Sequence, residues 1–175
     1  MITTKRLLLR HWKPEDLIPF YKINSHSQVC KYLPKQLTEL ESDELARKII
    51  QKFDVQGFGM FALEEISTNE FIGFTGLNIP NFEAPFMPNV EIGWRLAFDR
   101  WGQGFATEAA LAVIDYAFGI LKLPEIVSFT VPENTASRRV MEKIGMIYDL
   151  DADFSHPDLP KNHRLSRHVL YRKKN

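Results

Sequence analysis

The sequence predicts one α+β domain in which a mixed, largely antiparallel central sheet is flanked by helices. Strand-like and helix-like segments follow in the order β-α-α-β-β-β-α-β-α-β-β, without an internal repeat, linker or low-complexity segment. The 175 residues are 45% hydrophobic and 25% charged, which is ordinary for a soluble domain that builds its own core. We therefore treat residues 1–175 as a single domain.

The first half of the chain predicts three strands and two helices. A first helix is expected at Pro14, where proline suits the opening turn, and Pro19 should kink or shorten it. Thr38 and Glu41 form a capping box for a second helix, and Gly57 ends that helix. Residue types favoured in strands occupy residues 5–11, 58–64 and 71–77. The last two segments, joined by a short polar turn, predict a β-hairpin.

The second half predicts four more strands and two more helices. Apolar residues recur at helical spacing from Ala106 to Leu121, the clearest helical stripe in the chain. Asn134 is a good N-cap for a short helix, and Gly145 follows its end. Segments 79–89 and 151–164 contain prolines and predict loops, the first of them unusually apolar. The predicted strands are residues 90–96, 126–131, 146–150 and 165–171.

The most informative stretch is residues 100–107, Arg-Trp-Gly-Gln-Gly-Phe-Ala-Thr. It lies between the strand 90–96 and a helix expected to begin near Thr107. Glycines let the backbone approach a ligand closely, and the first amides of a helix carry a partial positive charge. The stretch therefore predicts a phosphate-binding turn. A dinucleotide-binding loop would need a third glycine, and a P-loop would need Gly-Lys-Ser/Thr. A plain turn without a ligand remains open.

Bulk charge and cysteine content exclude several classes of partner. The 22 Lys and Arg residues balance 22 Asp and Glu residues, which gives no support for nucleic acid or an anionic membrane as partner. No apolar run approaches the roughly 20 residues of a membrane span, and the N-terminus lacks a signal-peptide pattern. The single cysteine, Cys30, excludes an internal disulfide, and the five histidines show no metal-ligand spacing. We expect a cytoplasmic protein without a metal.

Four motifs occur in one order along the chain. They are Thr4–Arg10, Glu91–Trp94, Trp101–Glu108, and Asn134–Ser137 continuing to Glu142–Met146. Together they resemble the GNAT N-acetyltransferases, and Trp-Gly-x-Gly-Phe-Ala-Thr-Glu is typical of the RimJ/RimL-like branch, the ribosomal-protein N-terminal acetyltransferases and their relatives. Trp101 stands where most of the family has Gln or Arg. The resemblance spans nearly the whole chain and implies a GNAT fold with acetyl-CoA as cosubstrate.

The resemblance also implies how the chain would hold acetyl-CoA. Amides of the glycine turn would bind the pyrophosphate, and the pantetheine arm would pair with the end of strand 90–96 like an added strand. Asn134 would reach the same arm, or serve only as a helix cap. A backbone N–H near Phe98 would stabilise the oxyanion. Arg138 or Arg139 would meet the 3′-phosphate, unless both are simply solvated. The implied cofactor-binding residues are Leu96, Ala97, Phe98, Gly102, Gln103, Gly104, Phe105, Ala106, Thr107, Asn134 and Arg139.

Two residues are predicted to be catalytic. Glu91 is the candidate base that removes a proton from the attacking amine, directly or through water. The alternative is a structural ion pair with Arg95 on the same face of the strand. Most GNAT enzymes protonate the leaving thiolate with a Tyr seven positions after the Asn, but Met141 occupies that position here. In RimL-like members a Ser at the position of Ser137 is proposed to replace it; a small residue chosen for packing is the alternative.

The predicted reaction transfers an acetyl group from acetyl-CoA to a primary amine by direct attack in a ternary complex. The preferred acceptor is the N-terminal α-amino group of a protein or peptide; a small-molecule amine of the aminoglycoside or polyamine type is the alternative. A non-catalytic CoA-binding module also remains open because of Met141. Segment 79–89 is apolar enough for a homodimer interface. Side chains that could line an acceptor groove are Trp12, Phe82, Phe86, Met87, His156 and His168.

Overall fold

The computed structural model describes all residues, 1–175, as nine strands and four α-helices joined by loops and short 3-10 and π turns. The strands are β1 (Ile2–Thr3), β2 (Leu7–Arg10), β3 (Met60–Glu65), β4 (Glu70–Asn78), β5 (Glu91–Leu96), β6 (Glu125–Thr130), β7 (Ile147–Tyr148), β8 (Phe154–Ser155) and β9 (Arg167–Lys174). The helices are α1 (Leu17–Asn24), α2 (Glu39–Gln56), α3 (Phe105–Asp115) and α4 (Thr135–Lys143).

The strands form one mixed sheet in the order β1-β2-β3-β4-β5-β6-β9-β7, and β8 pairs with the free end of β9. Every neighbouring pair is antiparallel except β5 and β6, which confirms the predicted α+β class and the largely antiparallel sheet. The parallel pair holds a single register position, Glu91 opposite Val127. Beyond this position the two strands separate, and the gap between them locates the candidate site.

Helix α3 packs tightly on the sheet because its inner face is made of small residues. Ala109, Ala110 and Val113 are fully buried, and they join one core cluster with side chains from the sheet. The opposite face of the sheet is covered by α1 and α2 through Phe20 and Ala46. Trp12 belongs to this second cluster, where its indole N–H donates to the carbonyl of Met60 at 2.8 Å. It is therefore a core residue and does not line an acceptor groove.

Several element boundaries differ from the sequence prediction for identifiable reasons. Pro14 opens a 3-10 turn, and Pro19 lies in the first turn of α1, where a missing N–H costs no intrahelical bond. Helix α3 begins at Phe105, two residues before the expected Thr107, since Gly104 already serves as its N-cap. The two-residue strands β1 and β8 were not predicted, because pairing this short leaves no alternating pattern in the sequence.

The apolar loop 79–89 is anchored on its own chain. Phe86 is 7% exposed and packs with Val127 and Leu170 of the sheet. Phe82 lies with its ring centroid 5.8 Å from that of Phe129. The apolarity of this loop is therefore explained by intramolecular packing, and it gives no separate support to a homodimer. No helix combines the length and the apolar composition needed to cross a membrane.

Candidate active site

A cleft of about 550 Å³ opens where β5 and β6 separate. The glycine turn, α3 and α4 form one side of it, and the connection between α1 and α2 closes the other through Val29, Tyr32 and Leu33. The structure brings most of the predicted site residues to this cleft. Those that line it are Glu91, Leu96, Gly102, Gly104, Phe105, Ala106, Thr107, Asn134, Ser137 and Arg139.

The glycine turn has a backbone conformation that favours glycine at two positions. Gly102 and Gly104 adopt φ values of 76° and 82°, in the left-handed region that side chains disfavour. Arg6 fixes the turn from outside the cleft, because its Nη1 donates to the carbonyl of Gln103 at 3.0 Å. The Gln103 side chain turns away and donates to the carbonyl of Asp99 at 2.8 Å. Gln103 therefore shapes the turn and does not line the cleft.

Of the positions predicted at the end of β5, Leu96 faces the gap with its backbone and Ala97 does not. The carbonyls of Val90 and Ile92 accept hydrogen bonds from Val127 N and Ser128 Oγ of β6, each at 2.9 Å. Since successive residues of a strand point their backbone groups to opposite sides, Trp94 and Leu96 also face the gap. The N–H of Ala97 is instead committed to Ile72 in β4 at 2.9 Å.

Ala97 and Phe98 are corrections to the predicted cofactor-binding set. Both lie outside the cleft, in a separate surface depression beside α1. The sequence located the correct strand end, but it did not determine which alternate residues face β6. With the parity known, the groups that face the gap are the N–H and carbonyl of Trp94 and the N–H of Leu96, whose carbonyl accepts from Trp101 Nε1 at 3.0 Å.

Asn134 and Ser137 form a connected polar unit at the start of α4. Asn134 is the N-cap, because its Oδ1 accepts from the Ser137 N–H at 3.3 Å. Its Nδ2 donates to Thr130 Oγ1 at 2.9 Å and to Ser137 Oγ at 3.1 Å. The Ser137 hydroxyl thus accepts from Asn134, and its own proton is free to point into the cleft. Thr130 was missed by the sequence analysis; it orients Asn134 from the end of β6.

Met141 and the basic residues of α4 divide between core and cleft. Met141 is 1% exposed and lies in the main core at the base of the cleft, where its thioether cannot supply a proton. Arg138 turns away, donating to the Tyr171 hydroxyl at 3.1 Å. Arg139 lines the cleft together with Lys143, one turn further along the helix. Lys143 was not predicted, although its i+4 spacing from Arg139 is visible in the sequence.

Glu91 sits at the point where β5 leaves β6. Its Oε2 accepts from Asn78 Nδ2 at 3.2 Å, and Asn78 in turn accepts from Lys52 Nζ at 2.8 Å. Glu91 keeps partial contact with solvent through the cleft. Burial raises the pKa of Glu91 to about 7, against the weaker opposing effects of the Asn78 hydrogen bond and the Lys52 charge. A carboxyl with this pKa can exchange a proton near neutral pH.

Glu91 and Arg95 do not form the structural pair considered from the sequence. Arg95 Nη1 donates to Asn24 Oδ1 of α1 at 2.6 Å, and the guanidinium lies 5.4 Å from the centre of the Phe74 ring. No carboxylate lies within ion-pair distance of Arg95. Glu91 is therefore free of a cationic partner in direct contact.

His168 is the histidine that faces the cleft, from the start of β9. Its ring lies 5.1 Å from that of His156, and both pack among phenylalanines, including Phe129 and Phe154. Burial lowers the pKa of both imidazoles, so they are neutral near pH 7. Phe82 and Phe86 support this aromatic cluster from behind. No group of three or more His, Cys, Asp or Glu side chains is arranged to hold a metal ion.

Comparison with known proteins agrees with the motifs. A family model described as "Acetyltransferase (GNAT) domain" matches residues 6–147. "Uncharacterized N-acetyltransferase YnaD" of Bacillus subtilis is 33% identical over 145 residues, which is 83% of this chain and 81% of YnaD. A GNAT-family acetyltransferase from Bacillus anthracis superposes with a TM-score of 0.81 and is 30% identical, covering 99% of this chain and 97% of that one.

Two further solved structures share the fold at lower identity. A ribosomal-protein-S5-alanine acetyltransferase from Vibrio fischeri has a TM-score of 0.76 at 17% identity, covering 99% of this chain and 95% of that one. A spermidine N-acetyltransferase from Vibrio cholerae, in complex with CoA and spermine, has a TM-score of 0.75 at 21% identity, covering 98% and 96%. The chain belongs to the GNAT acetyltransferase family and is an acetyl-CoA-dependent N-acetyltransferase.

Proposed function

We propose that the chain acetylates the N-terminal α-amino group of a protein or peptide, by direct attack of the amine in a ternary complex with acetyl-CoA. The observation that carries this proposal is Glu91, a carboxyl with a pKa of about 7 at the head of the gap between β5 and β6. The Trp-Gly-x-Gly-Phe-Ala-Thr-Glu motif of the RimJ/RimL-like branch supports the same acceptor.

The residues present fit acetyl-CoA. Amides around Gly102 and Gly104, at the start of α3, would hold the pyrophosphate. The free edge of β5 at Trp94 would pair with the amide-rich pantetheine arm. Arg139 and Lys143 stand where the 3′-phosphate could be paired. Acetyl-CoA would supply the activated acetyl group; the protein positions it and manages the protons.

The cost of removing the amine proton differs between classes of amine. An α-amino group has a pKa of about 8, so passing its proton to a group of pKa about 7 costs only about 1.4 kcal/mol. A lysine-type amine, with a pKa of about 10.4, would cost roughly 4.6 kcal/mol. The difference of about 3.3 kcal/mol between the two amines holds for any base, so an α-amine is the acceptor that Glu91 deprotonates at the lower cost.

The second proton transfer belongs to the leaving group. A thiolate of pKa about 8.5 needs only a weak donor. The Ser137 hydroxyl already accepts from Asn134, so its free proton is available to the sulfur, and Met141 is excluded by its chemistry. The N–H of Trp94 would stabilise the oxyanion formed during attack.

A small-molecule amine remains the second candidate acceptor. The spermidine enzyme of Vibrio cholerae shows that this fold can serve a polyamine. A polycation would need a cluster of acids, whereas the acceptor side of this cleft presents Glu91 together with the cation Arg95. If the chain only bound CoA, the base Glu91 and the hydrogen-bonded pair of Asn134 and Ser137 would have no catalytic role.

The test is CoA release, followed with a thiol reagent, across matched amines. The panel holds a peptide with a free N-terminus and no lysine, the same peptide with a blocked N-terminus and one lysine, spermidine, and an aminoglycoside. We expect turnover of the free N-terminus, reduced about 100-fold in Glu91→Gln. Turnover of spermidine or the aminoglycoside alone would replace the proposal with the second candidate. Tight CoA binding without turnover of any amine would overturn the enzymatic proposal.

A further inference from the structure

The acceptor side of the cleft contains a cation without an acidic partner. Arg95 follows Glu91 by four residues on β5, so both side chains lie on the face of the sheet covered by α1 and α2. Its Nη1 is engaged by a neutral acceptor, the amide oxygen of Asn24. The other guanidinium nitrogens have no hydrogen-bond partner in the protein and are not sealed from the cleft, which Arg95 lines.

Arg95 is held in place by fully buried neighbours. Asn24 is 0% exposed. Its Nδ2 donates to Ser42 Oγ at 2.9 Å, and its backbone carbonyl accepts from the Cys30 thiol at 3.0 Å. The guanidinium also lies against the ring of Phe74. The orientation of Arg95 is thus fixed by a network that α1, α2 and β4 build around it, which preorganises its free edge toward the cleft.

Two other packed arginines of this chain are paired with acids. Arg10 contacts Asp16 and Glu64, and Arg172 contacts Glu125 and Asp149. Burial lowers the pKa of Arg95 to about 10, so it is still a cation at neutral pH. Arg95 is half-buried and opens on the cleft, so an anion that enters the cleft can pair with it in a setting with less water than the surface.

We propose that the acceptor carries a carboxylate that pairs with the free edge of Arg95 when its amine is at Glu91. This inference rests on the proposed function and narrows it to acceptors that combine an amine with an anionic group. The geometry suits the fork of a guanidinium, which binds a carboxylate through two parallel hydrogen bonds. An acidic side chain close to a peptide N-terminus would supply this carboxylate. The α-carboxylate of a free amino acid is the other source, and its preference would replace the peptide acceptor of the proposed function.

Binding of products tests this inference without turnover. Calorimetry on the CoA-saturated protein would compare two pairs of probes. The first pair is an N-acetylated peptide with Asp or Asn at the second and third positions. The second pair is N-acetyl-leucine and its amide. We expect the charged member of one pair to bind about 10-fold more tightly than the neutral member. The pair that shows this preference identifies the source of the carboxylate.

Variants separate Arg95 from the rest of the cleft. We expect Arg95→Gln to abolish the charge preference and to leave CoA affinity unchanged, while the melting temperature falls slightly because the buried Asn24 Oδ1 loses its charged donor. Arg95→Lys should retain part of the preference for the charged probe. Arg100→Gln is the matched control: Arg100 also lines the cleft but is paired with Glu65 and Glu70, so the preference should persist.

The outcomes for this inference and for the proposed function are distinguishable. Equal binding of charged and neutral probes in both pairs, or an undiminished preference in Arg95→Gln, would overturn the inference. Such a protein could still release CoA with a neutral peptide, which would leave the proposed function intact. Conversely, a preference that depends on Arg95 would sustain the inference even if the CoA-release assay favoured a small-molecule acceptor.

Discussion

Arg6 and Glu108 form an ion pair, with Arg6 Nε 2.7 Å from Glu108 Oε2, that ties the chain before β2 to the first turn of α3. The other Glu108 oxygen accepts from the Arg6 N–H at 2.9 Å and from Thr4 Oγ1 at 2.6 Å. Arg6 also donates to the carbonyl of Gln103 and packs on the Phe105 ring. The N-terminal segment thus braces the glycine turn from outside the cleft.

Removal of this brace should weaken CoA binding. We expect Arg6→Ala to raise the Kd for CoA about 5-fold, because the turn loses a contact that preorganises its amides. The free energy of unfolding should fall by only about 1 kcal/mol, since Arg6 is 40% exposed. Calorimetry and urea unfolding measure the two quantities. Arg167→Ala, which removes a surface pair with Asp153, is the control. An unchanged CoA affinity would show that the turn holds its shape alone.

This brace shows both the reach and the limit of the sequence analysis. Gly102 and Gly104 could be assigned to a phosphate turn from local chemistry, because the two neighbouring elements and the conformational freedom of glycine are visible in one short stretch. The motif around Arg6 could be recognised, but its purpose depends on Glu108, a residue remote in the chain. A local pattern cannot show which distant carboxylate a side chain will meet.

The surroundings of β5 illustrate the same limit. Alternation along the strand correctly placed Glu91 and Arg95 on one face, which suggested an ion pair between them. The pair is absent because neighbouring elements supply other partners: helix α1 brings Asn24 to Arg95, and strand β4 brings Asn78 to Glu91. Neither helix packing nor strand pairing can be derived from the alternation of one strand. The parity that turns the backbone of Trp94 and Leu96, and not that of Ala97, toward the gap depends on pairing in the same way.

Substitution of Gly104 should weaken acetyl-CoA binding in addition to lowering stability. Gly104→Val places a side chain at φ 82°, and its Cβ would meet only Arg6 Nη2, at 3.5 Å. We expect a loss of about 2 kcal/mol in unfolding free energy from the strained backbone, and at least about 10-fold weaker acetyl-CoA binding because the phosphate can no longer approach.

Gly57→Val is a matched control for that strain. Gly57 has φ 74° and open space around it, but it ends α2, away from the cleft. It should lose similar stability and keep its affinity for acetyl-CoA. If Gly104→Val bound acetyl-CoA as well as Gly57→Val does, the assignment of the phosphate turn would fail.

Ser137 should act on the leaving group and not on the helix cap. The cap uses the Ser137 backbone N–H, so Ser137→Ala keeps it. We expect kcat to fall about 10-fold with KM for acetyl-CoA unchanged, and the deficit to shrink above pH about 8.5, where the thiolate leaves without a proton. Thr135→Ala, an exposed change in the same turn, is the control. A kcat equal to wild type across the pH range would remove Ser137 from the mechanism.

The charged form of Glu91 should support activity and lower the stability of the folded protein, because its pKa is raised. As a base it must be deprotonated, so kcat/KM should rise with pH through about 7, and Glu91→Gln should lose this pH dependence.

The stability of the protein should depend on the protonation of Glu91 as well. The folded state holds the Glu91 proton more tightly than the unfolded state, where the pKa is 4.5. The stabilising contribution of the protonated Glu91 is therefore complete below pH 4.5 and is lost as pH rises through about 7. Glu91→Gln should therefore have a higher urea midpoint than wild type at pH 8, and the advantage should disappear at pH 5. The exposed change Glu15→Gln should show neither effect. If Glu91→Gln had a lower urea midpoint than wild type at pH 8, the folded protein would be stabilising the charged carboxylate of Glu91. Glu91 would then be a structural charge and not a base.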